Sequence, residues 1–466
     1  MPMFESIVYD NRRRGLAASL RERGAKGYVF LAAHGESPMN YPDNCYPFRQ
    51  DSNWLYFMGL SEPDMAAFID IADGSAVLFG EETSLDDMIW TGPRPVLGEL
   101  AALSGIARVL PLSRVGSFFS HASGPAILHP PFCREETTRR AAALLGIPVE
   151  TLRKNVSAEL VAAVIALREI KEEREVAELE RAVAATVVMH ETLLGQLRPG
   201  WTEAEAAALV HYTALRQGCS LSFPTIATLR GEVLHNHGRR AVCGEGDCFL
   251  LDAGAEAPSG YAGDLTTSFP VGGRFPARKA ELYRLLLKVF AGTVESLGPG
   301  VSFLDVHARA CLILAGGLKD LGIMKGDPGE AVGAGAHALF FPHGIGHMIG
   351  LDVHDMEGLG EDNVGYSDTR RSSQFGLRSL RLAKSLLPGM VHSVEPGIYF
   401  IPGLIDKWRS EGICDAFIDY GELEKWLDCG GMRVEEDWLV TDDGSRRLGP
   451  ALDKSIEAIE EARRGR

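Results

Sequence analysis

The sequence predicts a two-domain protein of the α/β (α+β) class. Three observations carry that prediction: a length of 466 residues, an N-terminal third in which short apolar runs alternate with helical segments, and a change of texture near residue 160. A loose allowance of ~150 residues per domain would admit three domains, but α/β units often run to roughly 250 residues. The new texture is a long stretch rich in Ala, Glu and Arg. It places the boundary between residues 155 and 170, giving domains of 1–160 and 161–466.

In the first domain, Asp10–Gly24 is helix-like, whereas Gly27–Ala33 (GYVFLAA) and Ala66–Ile71 (AAFIDI) have the length and apolarity of strands. From Ala158 to Leu194 apolar residues recur at helical spacing, among them Ile170, Leu179, Val183, Val187 and Leu193. Gly195 and Pro199–Gly200 then stop the helix. Thr202 opens the next one, running to Gln217, with Glu205 three residues on to complete a capping box. Strand-like runs follow at Phe249–Leu251, Gly260–Ala262 and Leu265–Val271. Helices return over Arg278–Leu297 and Phe303–Leu321, and the charged tail from Asp453 is again helical.

Hydrophobic residues at 45% and charged residues at 24% exclude a disordered or fibrous chain, and 52 glycines promise many tight turns. The net charge of −16 argues against nucleic acid and against an anionic membrane surface as partners. Met1–Arg23 is charged throughout and lacks the apolar core of a secretory signal. Ala334–Leu351 carries three His, a Pro and several Gly, so it cannot span a bilayer as a helix. The eight cysteines form no CxxC pair, which favours reduced thiols and a cytoplasmic location.

Four acids stand in strand contexts. Asp252 ends CFLLDAG and Asp264 lies in YAGDLTTSFPV; Gly254, Pro258, Ser259 and Gly260 between them suit a hairpin that brings both carboxylates together. Glu395 ends GMVHSVEPG, and Glu435 sits in a further strand, GGMRVEEDWLV. Singly, each has an ordinary explanation: a turn or cap for Asp252, an Arg partner for Asp264, a strand-end acid for Glu395, a solvated acidic run for Glu435. Jointly they ask for a partner charge or a metal. PHGIGHMIGLDVHD adds His343, His347 and His354 within twelve residues. The His343-x₃-His347 spacing is that of a zincin, but Gly344 stands where that motif needs Glu, and the glycines disfavour a helix. His347 is then the nitrogen donor. Carboxylates with one imidazole suit Mn²⁺, and so many donors suit two ions about 3.5–4 Å apart, a hydrolase centre.

In that order, LLDAGAEAPSGYAGDLTTSFPV, PHGIGHMIGLDVHD, GMVHSVEPGIYF and GGMRVEEDWLV resemble the pita-bread metallopeptidases, aminopeptidase P and prolidase in particular. YPFRQDSNWLYFMGLSEPD (Tyr46–Asp64) resembles the signature of their creatinase-like N-terminal domain, which methionine aminopeptidases lack; taken alone, Phe48, Trp54, Tyr56 and Phe57 in it could be plain core. The resemblance implies that creatinase-like domain, followed by a pita-bread domain of curved antiparallel sheet backed by helices. It implies two Mn²⁺, with Zn²⁺ or Co²⁺ as alternatives: Asp252 on one ion, His347 and Glu395 on the other, Asp264 and Glu435 bridging. His235, in VLHNHGRR, would sit over the substrate, and His354 would stabilise the tetrahedral intermediate. Glu395 would shuttle the proton, Arg433 would partner a metal carboxylate, and His343 would bind substrate. The reaction implied is hydrolysis of the Xaa–Pro bond of proline-containing peptides, by a homo-oligomer (dimer or tetramer).

The resemblance forks at FGLRSLRLAKSLLPGMV, which is similar to the stretch of prolidases where an Arg binds a dipeptide's free carboxylate. Arg381 aligns with that Arg and Arg378 is nearby; a basic surface helix is the plain alternative. The insert Ile401–Cys429 also departs from aminopeptidase P, whereas Tyr46–Asp64 and GIMKGDPGEAVGAGAHALFFPHG side with it. Xaa-Pro aminopeptidase is the leading expectation and prolidase the second. All five ligands being present weighs against a non-catalytic binding module, and a creatinase-type amidinohydrolase would not need them all.

Overall fold

The structure, a computed structural model, describes residues 3–120, 126–367 and 369–464. The chain divides into two compact units: Met1–Arg168 with Met356–Asn363, and Glu169–Asp355 with Val364–Arg466.

The first unit is built on a five-stranded mixed sheet. Its order is Arg108–Pro111, Ala76–Gly80, Ala66–Asp70, Tyr28–Ala32, Ile127–Leu128, antiparallel at the centre and parallel at both edges. Both expected strands are present, and the expected first helix runs from Ser6 to Glu22. Phe30, Phe68 and Phe79 project into one core with Val115, Ala141 and Leu152. Phe68 is its hub, with ring centroids of Phe30, Phe118 and Phe79 at 5.0, 5.3 and 5.6 Å. The aromatic signature forms the helix Ser52–Met58, capped by the Asp51 carboxylate on the Trp54 N–H at 2.9 Å. Trp54, Tyr56 and Phe57 are buried there; Phe48 is exposed. Gly59 ends the helix at φ 68°, where a Cβ would meet the Tyr9 ring at 2.1 Å.

The expected Ala158–Leu194 helix is two helices, Ala158–Arg168 and Glu173–Gln196. Lys171 causes the break: its N–H bonds the Gly389 carbonyl at 2.9 Å and its buried ammonium pairs with Asp355 at 2.8 Å. The capping box at Thr202 and Glu205 forms as expected and opens Glu203–Arg216. No helix among the described residues is long and apolar enough to cross a membrane.

The second unit's strands are all antiparallel. Leu265–Pro270, Cys248–Ala253 and Ile226–Thr228 form one three-stranded sheet, with Thr266 opposite Asp252. Helix Glu173–Gln196 packs against it. The other ladder joins Val391–Val394 to Glu436–Val440, and Gly397–Tyr399 to Gly431–Arg433. Both pairs keep one register, so Glu395 stands opposite Glu435 and Pro396 opposite Val434. The expectation that Glu435 lies inside a strand is therefore corrected: it sits in the gap between two strand pieces. Pro396 has no N–H to donate, so only the Val434 N–H to Pro396 carbonyl bond forms, at 3.2 Å. The N–H groups of Glu395 and Glu435 turn outward, to Ile345 O at 2.8 Å and Thr266 O at 3.1 Å.

Phe68→Ala is expected to destabilise the first unit by roughly 3–5 kcal/mol, the usual cost of truncating a buried Phe. Denaturant unfolding followed by fluorescence measures it.

Candidate metal centre

One cavity of about 440 Å³ is lined by all ten residues singled out from the sequence: His235, Asp252, Asp264, His343, His347, His354, Arg381, Glu395, Arg433 and Glu435. The strands bring the acids there. Asp252 lies in Cys248–Ala253, Asp264 just precedes Leu265–Pro270, and Glu395 and Glu435 face each other across the ladder gap. His347 arrives on an irregular segment that runs beside Val391–Val394. Its N–H reaches Ser393 Oγ at 3.1 Å, and its carbonyl accepts the Ser393 N–H at 2.9 Å. That approach requires Gly346, where a Cβ would lie 2.2 Å from the Ser393 carbonyl oxygen. The segment is not helical, in keeping with the rejection of the zincin pattern.

Donor atoms of Asp264, His347 and Glu435 all lie within 4.8 Å of one another, and all three residues are buried. His347 Nε2 is 3.4 Å from Asp264 Oδ2 and 3.6 Å from Glu395 Oε1. Its Nδ1 lies 3.1 Å from the Met348 carbonyl, which only an N–H can satisfy, so the Nε2 lone pair points at the carboxylates. Asp264 Oδ1 is buried without a hydrogen-bond partner, as expected of an oxygen reserved for an ion. Burial and then neighbouring carboxylates push the pKa values of Asp264 and Glu435 well up; burial also raises Glu395, against the pull of His347. A divalent cation relieves all three strains together, so these residues fit one.

A layer behind the donors aims them. Arg433 donates from Nη2 to Asp252 Oδ2, from Nη1 to Tyr399 Oη at 2.9 Å and from Nε to Thr266 Oγ1 at 3.1 Å. Burial opposes its charge, but Tyr399, Asp252, Glu435 and Glu395 hold its pKa well above the ordinary value. The Thr266 hydroxyl donates to Glu435 Oε2 at 2.6 Å, and Asp437 Oδ2 accepts the Asp264 N–H at 2.9 Å. Burial lifts Asp437 to a pKa of about 8.

The histidines divide by environment. His343 faces the Gly344 carbonyl with Nδ1 at 2.8 Å, so its Nε2 accepts the Tyr399 O–H at 2.8 Å. Burial holds its pKa to about 3. His354 stacks on His347 with centroids 3.9 Å apart, and the next residue, Asp355, anchors that loop through Lys171. His235 stands at the exposed rim, its pKa lowered by partial burial and by Arg433. Arg381 lies in the cavity wall, beyond the 3-10 turn Leu377–Ser379, and no regular basic helix forms there. Thr266, Tyr399, Ser393 and Asp437 were not anticipated; Tyr399 follows Glu395 closely in EPGIYF, which is the one local signal that could have pointed to it. His237, given no role from the sequence, also lines the cavity.

Comparison with known proteins agrees with this geometry. The pattern of Metallopeptidase family M24 matches residues 177–442, and that of the aminopeptidase P N-terminal domain matches residues 9–126. Xaa-Pro aminopeptidase of Escherichia coli is 30% identical, covering 96% of each chain. Human Xaa-Pro dipeptidase is 31% identical over 97% of this chain and 92% of its own. A structure of E. coli aminopeptidase P in complex with substrate superposes with a TM-score of 0.81 at 28% identity, covering 99% of this chain and 98% of the other. The chain belongs to metallopeptidase family M24, with an aminopeptidase P-type N-terminal domain.

Removal of metal is expected to destabilise the protein in a pH-dependent way. The folded-state pKa values of Asp264, Glu435 and Asp437 lie above the unfolded carboxylate value of about 4. In chelated protein their burial therefore costs little at acid pH, and the cost grows as pH rises through the folded values, about 8 for Asp437. Neutral buried histidines such as His190 weaken both forms alike below their ordinary pKa and cancel from the difference. The Tm gap between metal-loaded and chelated protein should be narrow at acid pH and widen as pH rises towards 8, as measured by scanning calorimetry across that range.

Proposed function

We propose that this M24 metallopeptidase removes an N-terminal residue by hydrolysing the bond between it and proline, using two divalent ions, with Mn²⁺ as the physiological choice. The convergence of Asp252, Asp264, His347, Glu395 and Glu435 with Arg433 in one cavity carries the reading. Relatives named for Xaa-Pro aminopeptidase activity, over nearly their whole length, support it. So does an aminopeptidase P structure described with the inhibitor Pro-Leu.

Charge favours two ions over one. When all are ionised, the four donor carboxylates and Asp437, against the Arg433 guanidinium, leave four negative charges around the cavity. Glu436 is already neutralised by Lys454 at 2.8 Å. Two divalent ions cancel the remainder, whereas one leaves two charges buried, which is costly. Asp252 would hold one ion, His347 and Glu395 the other, with Asp264 and Glu435 between them. When bound, such a pair makes a water nucleophilic at neutral pH and polarises the scissile carbonyl.

The chain's own groups do the rest. Glu395, its pKa raised by burial, can take a proton and return it to the leaving proline nitrogen. His354, held over His347, can donate to the developing oxyanion. His343, neutral and fixed through Tyr399, and His235 at the rim would orient the substrate. A proline nitrogen carries no N–H and its ring fixes φ, so the bond suits a dedicated pocket.

A second reading, an Xaa-Pro dipeptidase, is favoured by one observation: Arg381 stands in the same cavity wall, where a guanidinium can clamp a free proline carboxylate. The homo-oligomer expected of the family, a dimer or tetramer, is checked by light scattering.

After Mn²⁺ reconstitution, an Xaa-Pro dipeptide is compared with an Xaa-Pro-Yaa-Yaa tetrapeptide. Preference for the tetrapeptide establishes the aminopeptidase and leaves Arg381 a structural role; dipeptide-only cleavage makes it a prolidase. Hydrolysis of neither, with metal bound, overturns the Xaa-Pro reading. In the dipeptidase case Arg381→Met should raise the dipeptide KM by ~10–100-fold with kcat little changed, the loss of a charge-assisted hydrogen-bonded pair. His354→Ala should lower kcat by ~10²–10³-fold in steady-state assays, as removal of an oxyanion donor does.

A further inference from the structure

A second cluster of metal-binding side chains lies outside the catalytic cavity. His307 and Cys311 are one turn apart on helix Phe303–Asp320, and His337 sits on the 3-10 turn Ala336–Leu339. All three are buried, and their donor atoms lie within 4.8 Å of one another. His307 Nε2 is 3.4 Å from Cys311 Sγ. Two ligands on a tetrahedral zinc, at about 2.0 Å for nitrogen and 2.3 Å for sulfur, would stand about 3.5 Å apart.

The polar atoms here are poorly satisfied as they stand. Both ring nitrogens of His337 and Nδ1 of His307 are buried without a hydrogen-bond partner. An ion held by His307 Nε2 and one His337 nitrogen satisfies one of these atoms, which a purely packing role leaves unpartnered. Burial keeps both imidazoles neutral, with pKa values of about 3 for His307 and about 4 for His337, so each retains a lone pair for an ion.

We propose that His307, Cys311 and His337 bind a single thiophilic divalent ion of the zinc class, at a structural site separate from the catalytic pair. Binding breaks the Cys311 S–H bond, the thiolate sulfur coordinates the ion and the proton leaves to solvent; nothing is oxidised or reduced. Two imidazoles and one thiolate form a borderline-soft donor set, unlike the oxygen-dominated set of the catalytic cavity, so the two sites select different metals. The ion ties the helix to the turn that leads into the catalytic His segment. The His337 carbonyl accepts the N–H groups of Phe340 and Phe341 at 3.0 Å each, and the Phe341 ring touches both His307 and His343, with centroids at 5.5 and 4.7 Å.

The test uses the full chain purified from cells grown with Co²⁺ as the sole added transition metal. The catalytic donors include no sulfur, so a sulfur-to-cobalt charge-transfer band in the near ultraviolet cannot come from the catalytic pair, and its loss on replacing Cys311 assigns it among the eight cysteines. Wild type should show the band at one thiolate per chain. Cys311→Val, which fills the same space, should lose it while retaining Xaa-Pro hydrolysis. Bound cobalt without the band in wild type, or a band that survives in Cys311→Val, overturns the proposal. X-ray absorption at the zinc edge of wild type gives a measurement free of any variant: a sulfur shell at about 2.3 Å supports the site, and its absence in zinc-containing protein sinks it.

Discussion

Mutual repulsion among buried carboxylates is the constraint on which the second unit depends. Asp252, Asp264, Glu395 and Glu435 line one cavity, Asp437 lies directly behind, and burial raises several of their pKa values. No arrangement of protein groups alone removes that cost, because a buried ionised carboxylate without a partner is among the least favourable things a fold can hold. Arg433 offsets part of it, and its own burial is tolerable only because those acids surround it. With the proposed ligands the centre and the fold would be thermodynamically one object, metal affinity offsetting the cost of assembling these carboxylates.

Orientation follows from hydrogen bonds that leave each group a single useful state. His347 gives its Nδ1–H to Met348 O and His343 gives its own to Gly344 O, which leaves the His347 Nε2 as an acceptor facing the carboxylates and the His343 Nε2 as the acceptor for the Tyr399 hydroxyl. Tyr399 then accepts from Arg433 and donates to His343, so one hydroxyl links the guanidinium beside Asp252 to the imidazole at the substrate wall. Such relays fix tautomers without further charge, which a crowded anionic site needs.

Much of this was legible in the sequence, for a definite reason. Acids at strand ends among apolar neighbours, and histidines among glycines, are costly locally, so they stand out wherever function retains them. Asp252, Asp264, His347, Glu395 and Glu435 were singled out that way, and all line one cavity. Thr266, Ser393 and Asp437 were not, because a strand Thr or Ser and an acid in an acidic run are unremarkable until a fold sets them beside a donor. The break at Lys171 was equally invisible: helical spacing continues through it, and its cause lies about two hundred residues away at Asp355 and Gly389.

The ladder gap shows how backbone and charge were settled together. Glu395 and Glu435 occupy opposed positions whose N–H groups both turn outward, the non-hydrogen-bonded pairing in which facing side chains come closest. Like charges there are destabilising in an ordinary sheet. Pro396 cannot return the second ladder bond to Val434, so the strands are held loosely just where the acids meet. Two outside contacts, Ile345 O on Glu395 and Thr266 O on Glu435, then fix the positions that the ladder leaves slack. Ile345 belongs to the segment bearing His347, and Thr266 pairs with Asp252. The weakest point of the ladder is therefore where all the acid-bearing segments converge, and a cation held by the proposed ligands there would close the sheet that those carboxylates otherwise force apart.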